Sequence, residues 1–267
     1  MPIWLQIVAG YAVYLVAVAW AAPGFARARG PALVTLAASL CLAMAWPRIA
    51  SGSSPSGLAV WVAVPGLFLL AAYRVSGAFF ISPNLPLERA LLRLDDAALV
   101  GTGLRRAYGE MAALRSGVEL LYLMVYAMVP VGAAVLVLGR RADVLELYWA
   151  VVFAAELACY AMLPWLQTRP PRSLEGAHET EAADPLRRLN LAVLQRGSIQ
   201  VNTLPSAHAA GAIAVALVMV DALPMAGGVF LAVALGITIA TVLGRYHYLV
   251  DAVLGAAVGV AAWVVLG

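Results

Sequence analysis

Long apolar runs are the feature that most constrains what this chain can fold into. A helix needs about 20 apolar residues to cross a bilayer, and eight stretches reach or approach that length. These runs cover roughly residues 3–22, 32–50, 57–81, 118–138, 145–166, 206–222, 225–243 and 246–266. Only 12% of the residues are charged, whereas a soluble domain usually has about 25%. The sequence therefore excludes a soluble enzyme and predicts an all-α, polytopic membrane helix bundle with about eight transmembrane helices.

Two long segments connect the runs. Residues 82–117 carry five arginines among leucines and alanines, and several leucines fall roughly on one helical face: Leu87, Leu91, Leu92, Leu94 and Leu99. This pattern predicts either an amphipathic helix lying in the membrane interface or a helical connector packed on the bundle. Residues 167–205 are the most polar stretch of the chain, and we interpret them as a loop.

Three polar segments interrupt the hydrophobic pattern at the ends of predicted helices. They are residues 167–172 after the fifth run, residues 202–208 at the start of the sixth and residues 244–251 at the start of the eighth. The number of membrane crossings between them places all three on the same side of the bilayer. We therefore expect adjacent helices to bring them together in one pocket.

The first two segments contain groups that bind phosphate. Arg169 and Arg172 have planar, permanently charged guanidinium groups that suit phosphate oxygens. Pro205 stands where a helix is expected to begin, which would leave the backbone amides of residues 206–208 pointing outward at the positive end of the helix dipole. Such a helix end binds anions.

The third segment supplies a potential nucleophile. His247 and Asp251 are four residues apart and hence on one helical face. A carboxylate at that spacing can hold an imidazole in one tautomer and stabilise its cation. His208 is a second imidazole that can act as acid or base. Since histidine can be a covalent nucleophile and phosphoryl transfer depends on positioning and charge neutralisation, these groups indicate phosphoryl transfer without a metal or an organic cofactor.

These segments resemble the motifs of a known family. Residues 170–172 read Pro-Pro-Arg, residues 202–208 read Asn-Thr-Leu-Pro-Ser-Ala-His, and His247-Tyr248 is followed by Asp251. They are similar to the three motifs of the type 2 phosphatidic acid phosphatase superfamily, with the closest likeness to its inositol phosphorylceramide synthase-like branch. The resemblance covers roughly residues 118–266, and the first three helices have no counterpart in it.

The resemblance implies a role for each motif residue. His247 attacks phosphorus to form a phosphohistidine, Asp251 orients it, and His208 protonates the departing oxygen. Arg172, Ser206 and the helix amides hold the phosphate, and we add three further candidates for phosphate binding: Arg169, Arg245 and Asn202. The chain departs from the phosphatase branch at Met162, where that branch has lysine, and at Thr241, where it has arginine. Arg245 is our candidate to replace the missing arginine.

The resemblance also divides the chain. Residues 1–117 form N-terminal transmembrane helices and the amphipathic connector, and residues 118–267 form a catalytic helix bundle like that of phosphatidic acid phosphatases. We expect the two parts to make one integrated membrane domain.

We predict a lipid phosphate phosphatase that acts through a phosphohistidine. One alternative is a phosphotransferase that moves a phospho-headgroup to a lipid hydroxyl. The expected partners are a lipid phosphate substrate and membrane lipids; the net charge of +3 gives no reason to expect nucleic acid.

A membrane transporter is the alternative of another class, because Glu156 and Arg74 lie inside predicted spans, where charged residues are functional candidates. We interpret both residues as structural, either paired with each other or facing the bundle. The other polar groups gather at one face of the membrane rather than at its midplane, where a transport site belongs.

Two arguments conflict on the side of the membrane that holds the site. The loops predicted on that side contain most of the arginines outside the motifs, which by the positive-inside rule places them in the cytoplasm. The resemblance implies the external face. We expect a multi-pass protein of a bacterial plasma membrane with its site at the external face, since arginines that serve the site or an interfacial helix weaken the charge rule.

Thiol labelling tests this orientation. In a chain whose Cys41 and Cys159 are replaced by alanine, a cysteine introduced at position 180 should react with a membrane-impermeant reagent in intact cells, because that loop lies beside the polar segments. Labelling only after permeabilisation of the cells would place the site in the cytoplasm.

Overall fold

The computed structural model describes residues 1–50, 55–174 and 184–267. These residues form eleven α-helices, which we number in chain order: α1 (Ile3–Ala21), α2 (Arg29–Ile49), α3 (Pro55–Ser76), α4 (Leu85–Leu99), α5 (Leu104–Glu110), α6 (Ala112–Leu138), α7 (Leu145–Ala161), α8 (Pro185–Gly197), α9 (Ala207–Ala222), α10 (Pro224–Leu243) and α11 (Leu249–Leu266). Seven helices are long and apolar enough to cross a membrane, and α9 is a shorter apolar helix. The prediction of an all-α polytopic bundle is confirmed.

Helix α9 lies at the centre of the bundle. It packs against α6, α7, α10 and α11, and most of its residues are buried. Its first ten residues are mainly alanine and glycine, and such small side chains allow the backbones of neighbouring helices to approach closely. The residues that precede α9 are therefore held in the middle of one end of the bundle.

Two glycines set the distance between α9 and α11. A Cβ atom on Gly255 would overlap the carbonyl oxygen of Ser206, and one on Gly259 would lie 2.5 Å from the carbonyl oxygen of Ala210. Both contacts are closer than any side chain permits. The Gly-x-x-x-Gly spacing in α11 thus brings its first turns directly against the beginning of α9.

The N-terminal helices pack on the rest of the bundle through aromatic side chains. Helix α1 lies against α2 and α7, where the Trp4 ring stacks on Phe153 with ring centroids 5.3 Å apart. Trp149 in α7 donates a hydrogen bond of 2.7 Å to the carbonyl of Trp61 in α3. Buried residues of α1, α2 and α3 share one hydrophobic core with those of α6, α7 and α9.

The connector at residues 82–117 contacts the bundle through one face of α4, and this packing is compatible with both predicted arrangements. Asn84 caps α4, since its side chain accepts a hydrogen bond from the amide of Leu87. The inner face of α4 buries Leu91 against Tyr248, and Leu99 against Val242 and Ala252. Leu94, predicted on the same face, is 54% exposed because it projects away from the bundle.

The prediction of a loop over residues 167–205 is wrong in part, because α8 lies within it. Asp184 caps this helix: its carboxylate accepts hydrogen bonds from the amides of Leu186 and Arg187. Pro185 occupies the first helical position, as is common for proline. Residue 180, the position proposed for labelling, lies outside the described residues.

The close packing of α11 on α9 generates a prediction. Gly255→Ala should lower the free energy of unfolding by about 1–3 kcal/mol and reduce activity, since the added methyl group displaces the backbone that begins α9. Thermal unfolding of the purified protein in detergent measures the effect. Gly228→Ala is the matched control, because a Cβ atom there meets nothing within 4 Å, and equal midpoints for the two variants would contradict the packing argument.

Candidate active site

The three polar segments meet at one end of the bundle and are joined by backbone hydrogen bonds. The amide of Asn202 donates to the carbonyl of Thr168 at 2.9 Å, and the amide of Arg172 donates to the carbonyl of Arg245 at 3.0 Å. The amide of Ser206 donates to the carbonyl of Asp251 at 2.9 Å. The first segment is thereby fixed to both others.

A cavity of about 790 Å³ opens from this polar end into the bundle. Several side chains from the polar segments line it, among them Arg172, Thr203, His208, Tyr246 and His247. The rest of its wall is mainly apolar and comes from α3, α6, α7, α8 and α9. The structure therefore brings two of the predicted catalytic residues and one predicted phosphate-binding residue to one surface.

Asp251 lies behind His247, away from the cavity. One carboxylate oxygen of Asp251, Oδ2, accepts hydrogen bonds from the Asn202 side chain at 2.8 Å and from the amide of Tyr248 at 3.0 Å. The same oxygen is 3.5 Å from Nδ1 of His247. Nδ1 and the second oxygen, Oδ1, are both buried without a hydrogen-bond partner in the described chain.

The surroundings of the His247 imidazole favour its neutral form. Burial and the neighbouring Arg172 guanidinium lower the pKa of His247 to about 3. The ring is therefore neutral at physiological pH and keeps a lone pair. The ring of His208 stands edge-on to it, with centroids 5.5 Å apart. The two imidazoles are thus in edge-to-face contact at the polar end of the cavity.

The beginning of α9 differs from the prediction of three free amides. Ser206 is the N-cap residue, and its hydroxyl accepts a hydrogen bond of 3.3 Å from the amide of Ala209. The amide of Ser206 is bonded to Asp251, and that of Ala207 donates to the Thr203 hydroxyl at 3.2 Å. Within the described chain, only the amide of His208 among these three is without such a bond. The Ser206 side chain is fully buried and acts as a helix cap.

Arg172 is the arginine of the three polar segments whose side chain lines the cavity. Its guanidinium lies 5.5 Å from the centroid of the Tyr246 ring and donates a weak hydrogen bond of 3.4 Å to the Tyr246 carbonyl. In the parts of the chain that the structure describes, no carboxylate forms an ion pair with Arg172. A guanidinium without a neutralising partner can bind an anion through two parallel hydrogen bonds.

Arg169 and Arg245, both predicted to bind phosphate, point instead to the connector helix α4. Arg169 forms a bidentate ion pair with Glu88, with distances of 2.8 and 3.1 Å. Arg245 forms a buried ion pair with Asp95. Neither arginine is among the described residues that line the cavity. Glu88 and Asp95 lie two turns apart on α4, and this spacing is the sequence signal that could have indicated their shared role.

Sequence reasoning also missed a buried polar cluster beside the site. The Glu119 carboxylate, fully buried in α6, accepts hydrogen bonds from the hydroxyl groups of Tyr108 and Tyr246 and from the side chains of Arg187 and Asn190. The Tyr246 ring, next to His247 in sequence, stacks on Tyr122. A single acid inside an apolar run is the signal that could have indicated such a cluster. It fixes the third polar segment against α6 and α8.

Glu156 and Arg74, expected to pair with each other or to face the bundle, both line the cavity. They have separate partners: Glu156 accepts a hydrogen bond of 2.6 Å from the Tyr160 hydroxyl, and Arg74 donates one of 3.3 Å to the carbonyl of Arg196. Among the described residues, no group of three or more His, Cys, Asp or Glu side chains is arranged to hold a metal ion.

The comparison with known families agrees with this geometry. A family model described as the PAP2 superfamily matches residues 89–265. The match covers most of the chain, which therefore belongs to the PAP2 superfamily, a group of phosphatases and phosphotransferases. It begins earlier than the expected residue 118 and so includes most of α4 with Asp95, the partner of Arg245. Glu88, the partner of Arg169, lies just before the match. No curated protein and no solved structure matches the chain.

Arg172 and Arg169 have different surroundings, so we expect their substitution to cause different defects. Arg172→Met should lower kcat/KM by about a hundredfold or more with little change in unfolding temperature, because the side chain faces the cavity. Arg169→Met should mainly lower stability, because it leaves the Glu88 carboxylate buried without its cation. Phosphatase assays and thermal unfolding of both variants provide the comparison, and equal, mild losses of activity would contradict the assignment.

The stability defect of Arg169→Met should depend on pH. Burial raises the pKa of Glu88, but the hydrogen bonds from Arg169 outweigh this effect and lower the pKa overall. The ion pair therefore stabilises the folded protein at neutral pH, and this contribution is lost as the pH falls through the lowered pKa. The difference in unfolding temperature between wild type and variant should shrink in acid.

Proposed function

We propose that the protein is an integral-membrane lipid phosphate phosphatase that acts through a phosphohistidine on His247. One observation carries the proposal: two imidazoles and a guanidinium that pairs with no carboxylate among the described residues share the polar end of a mainly apolar cavity. The guanidinium suits a phosphate group, and the apolar wall suits the hydrocarbon chain of a lipid. Membership of the PAP2 superfamily supports a phosphatase-type enzyme rather than the transporter considered from the sequence.

In the first step, a neutral His247 nitrogen attacks the phosphorus atom. A P–N bond forms while the P–O bond to the lipid breaks. Burial, His247 and Arg172 lower the pKa of His208 to about 3, so its imidazolium form depends on the negative charge of the bound phosphate. That imidazolium gives its proton to the departing lipid oxygen. Arg172 neutralises the charge on the phosphoryl oxygens, and the free amide of His208 can donate to one of them. The Asp251 carboxylate stabilises the positive charge that develops on the His247 ring.

In the second step, water resolves the intermediate. His208, now neutral, accepts a proton from the water molecule as its oxygen attacks phosphorus, and the P–N bond breaks. Inorganic phosphate leaves, and His247 returns to its neutral form with its hydrogen on the nitrogen beside Asp251. Both histidines end each cycle in the protonation states in which they began.

A phosphotransferase is the second candidate, because a hydroxyl group can replace water in the second step. The Pro-Pro-Arg segment at residues 170–172 and the sequence of residues 202–208 resemble the transferase branch. Met162 and Thr241, which stand where the phosphatase branch has basic residues, favour the same interpretation. We rank hydrolysis first because it requires no second lipid in the cavity.

The decisive assay supplies purified protein with a panel of lipid monophosphates and diphosphates, with and without lipid hydroxyl acceptors. We expect release of inorganic phosphate in water alone, and inhibition by vanadate as a mimic of five-coordinate phosphorus. No release in water but a phosphorylated product with an acceptor would reverse the ranking of the two candidates.

Two variants test the mechanism in the same assay. His247→Ala should abolish turnover, since no other group replaces the nucleophile. Asp251→Asn should lower kcat by a few orders of magnitude, as loss of the orienting carboxylate does in serine proteases, where it costs about 10⁴-fold. A folded His247→Ala protein with near-normal activity would disprove the phosphohistidine mechanism.

A further inference from the structure

A carboxylate stands in the cavity wall below the proposed phosphate site and has no part in the mechanism above. Glu156 in α7 lines the cavity, and its Oε2 atom accepts a hydrogen bond from Tyr160. Its Oε1 atom lies against Gly211 of α9, where a Cβ atom would overlap it. In the described chain, Oε1 has no hydrogen-bond donor.

Helix α9 gives the position of the Glu156 carboxylate relative to His208, because both contact or belong to this helix. Gly211 is three residues beyond His208 on that helix, which corresponds to about 4.5 Å along its axis. Going from His208 to Gly211 leads away from the polar end of the cavity and toward the middle of the bundle. Oε1 of Glu156 therefore lies deeper than the phosphate site by the length of about three or four covalent bonds.

Glu156 supplies the one carboxylate among the described residues that line the cavity. The neighbouring cavity wall from α3 and α6 is largely apolar, with Leu67, Leu70, Val125, Met128 and Val129. It also includes the side chains of Tyr73, Arg74, Tyr122 and Tyr126. A carboxylate inside a membrane protein is costly unless hydrogen-bond donors satisfy it. Tyr160 satisfies one oxygen, and Arg74 is bonded to the carbonyl of Arg196 instead. The second oxygen thus faces the space that a substrate chain fills.

We propose that Glu156 makes the enzyme specific for phosphorylated lipids that carry a hydrogen-bond donor, a hydroxyl or an amide N–H, a few bonds from the phosphoester. This inference rests on the proposed function. Oε1 of Glu156 accepts a hydrogen bond from that donor. A plain hydrocarbon or polyprenyl chain leaves the carboxylate desolvated without a donor, so such lipids are poor substrates.

The test compares matched lipids that differ in one hydroxyl group. Octadecyl phosphate is assayed against octadecyl phosphates with a hydroxyl at carbon 2, 3 or 4, in mixed micelles at equal surface concentration, and kcat/KM is measured for each. For the wild-type protein we expect a preference of about 10- to 100-fold for at least one hydroxylated lipid, the range for a hydrogen bond to a charged group.

Substitution of Glu156 should remove this preference. In Glu156→Leu, kcat/KM for the best hydroxylated lipid should fall while that for octadecyl phosphate is kept or rises, so that their ratio approaches one. Activity on octadecyl phosphate shows that the variant is folded. Glu146→Leu is the matched control, because Glu146 lies on the same helix at its exposed far end, bonded to the amide of Ile3, and should leave the ratio unchanged.

Tyr160→Phe provides a second readout that does not remove the carboxylate. It deprives Glu156 of its internal donor, so dependence on the substrate hydroxyl should increase and the ratio should rise above that of the wild type. A purely structural role for the pair predicts equal losses on both lipids in both variants, and that outcome overturns the inference.

The remaining outcomes separate this inference from the proposed function. Equal kcat/KM for plain and hydroxylated lipids in the wild-type protein overturns the inference but leaves the phosphatase intact. Phosphate release from none of the lipids overturns the proposed phosphatase, and the inference with it. A third outcome is that product forms only when a free lipid alcohol is added. The lipid that carries the hydroxyl group would then be the acceptor and not the phosphorylated substrate, and this outcome also overturns the inference.

Discussion

The carboxylate of Asp251 is the group on which the geometry of the polar end depends. It caps α11 through the amide of Tyr248, binds the side chain of Asn202 and lies beside His247. The backbone carbonyl of Asp251 accepts the amide of Ser206, which is the N-cap of α9. One residue therefore fixes the starts of two helices and the ring between them. Away from bulk water, polar groups require hydrogen-bond partners within the protein, and these groups form many of their hydrogen bonds with one another.

Other buried acids determine which arginine can serve the cavity. Glu88, Asp95 and Glu119 are each engaged with an arginine close to the motifs, namely Arg169, Arg245 and Arg187. These pairs hold α4, α6 and α8 against the polar segments and neutralise three charges. Arg172 keeps its charge and faces the cavity. The chain thus combines a rigid, nearly neutral support with the positive charge of Arg172 beside the two histidines of the cavity.

The outline of this protein could be predicted from its sequence because the membrane imposes a simple rule on length and polarity. Apolar runs gave the spanning helices to within a few residues, and counting crossings gave the shared side of the three polar segments. The role of each individual arginine was harder to predict from the sequence. Arg169 has the same chemical character as Arg172, and only the fold shows that Glu88, 81 residues away, reaches one of them. Similarly, nothing in the local pattern around Glu119 identifies its four donors, which come from α5, α8 and the third polar segment.

The wall of the cavity comes from two parts of the chain. One part lies within the residues matched by the family model, and the other lies outside them. His208, His247, Arg172 and Glu156 all lie within the residues matched by the PAP2 superfamily, 89–265. One apolar wall comes from α3, which lies outside that match but is attached to it, since the Tyr73 hydroxyl contacts Ser198 and the Arg74 side chain contacts the carbonyl of Arg196. Phosphoryl transfer depends on charge and geometry near the phosphorus atom, whereas discrimination between lipids depends on the surfaces that the chain touches. The groups proposed for phosphoryl transfer and Glu156 thus lie within the family match, whereas α3 adds an apolar wall from outside it. Part of the surface that would contact a lipid chain is therefore not covered by the family match.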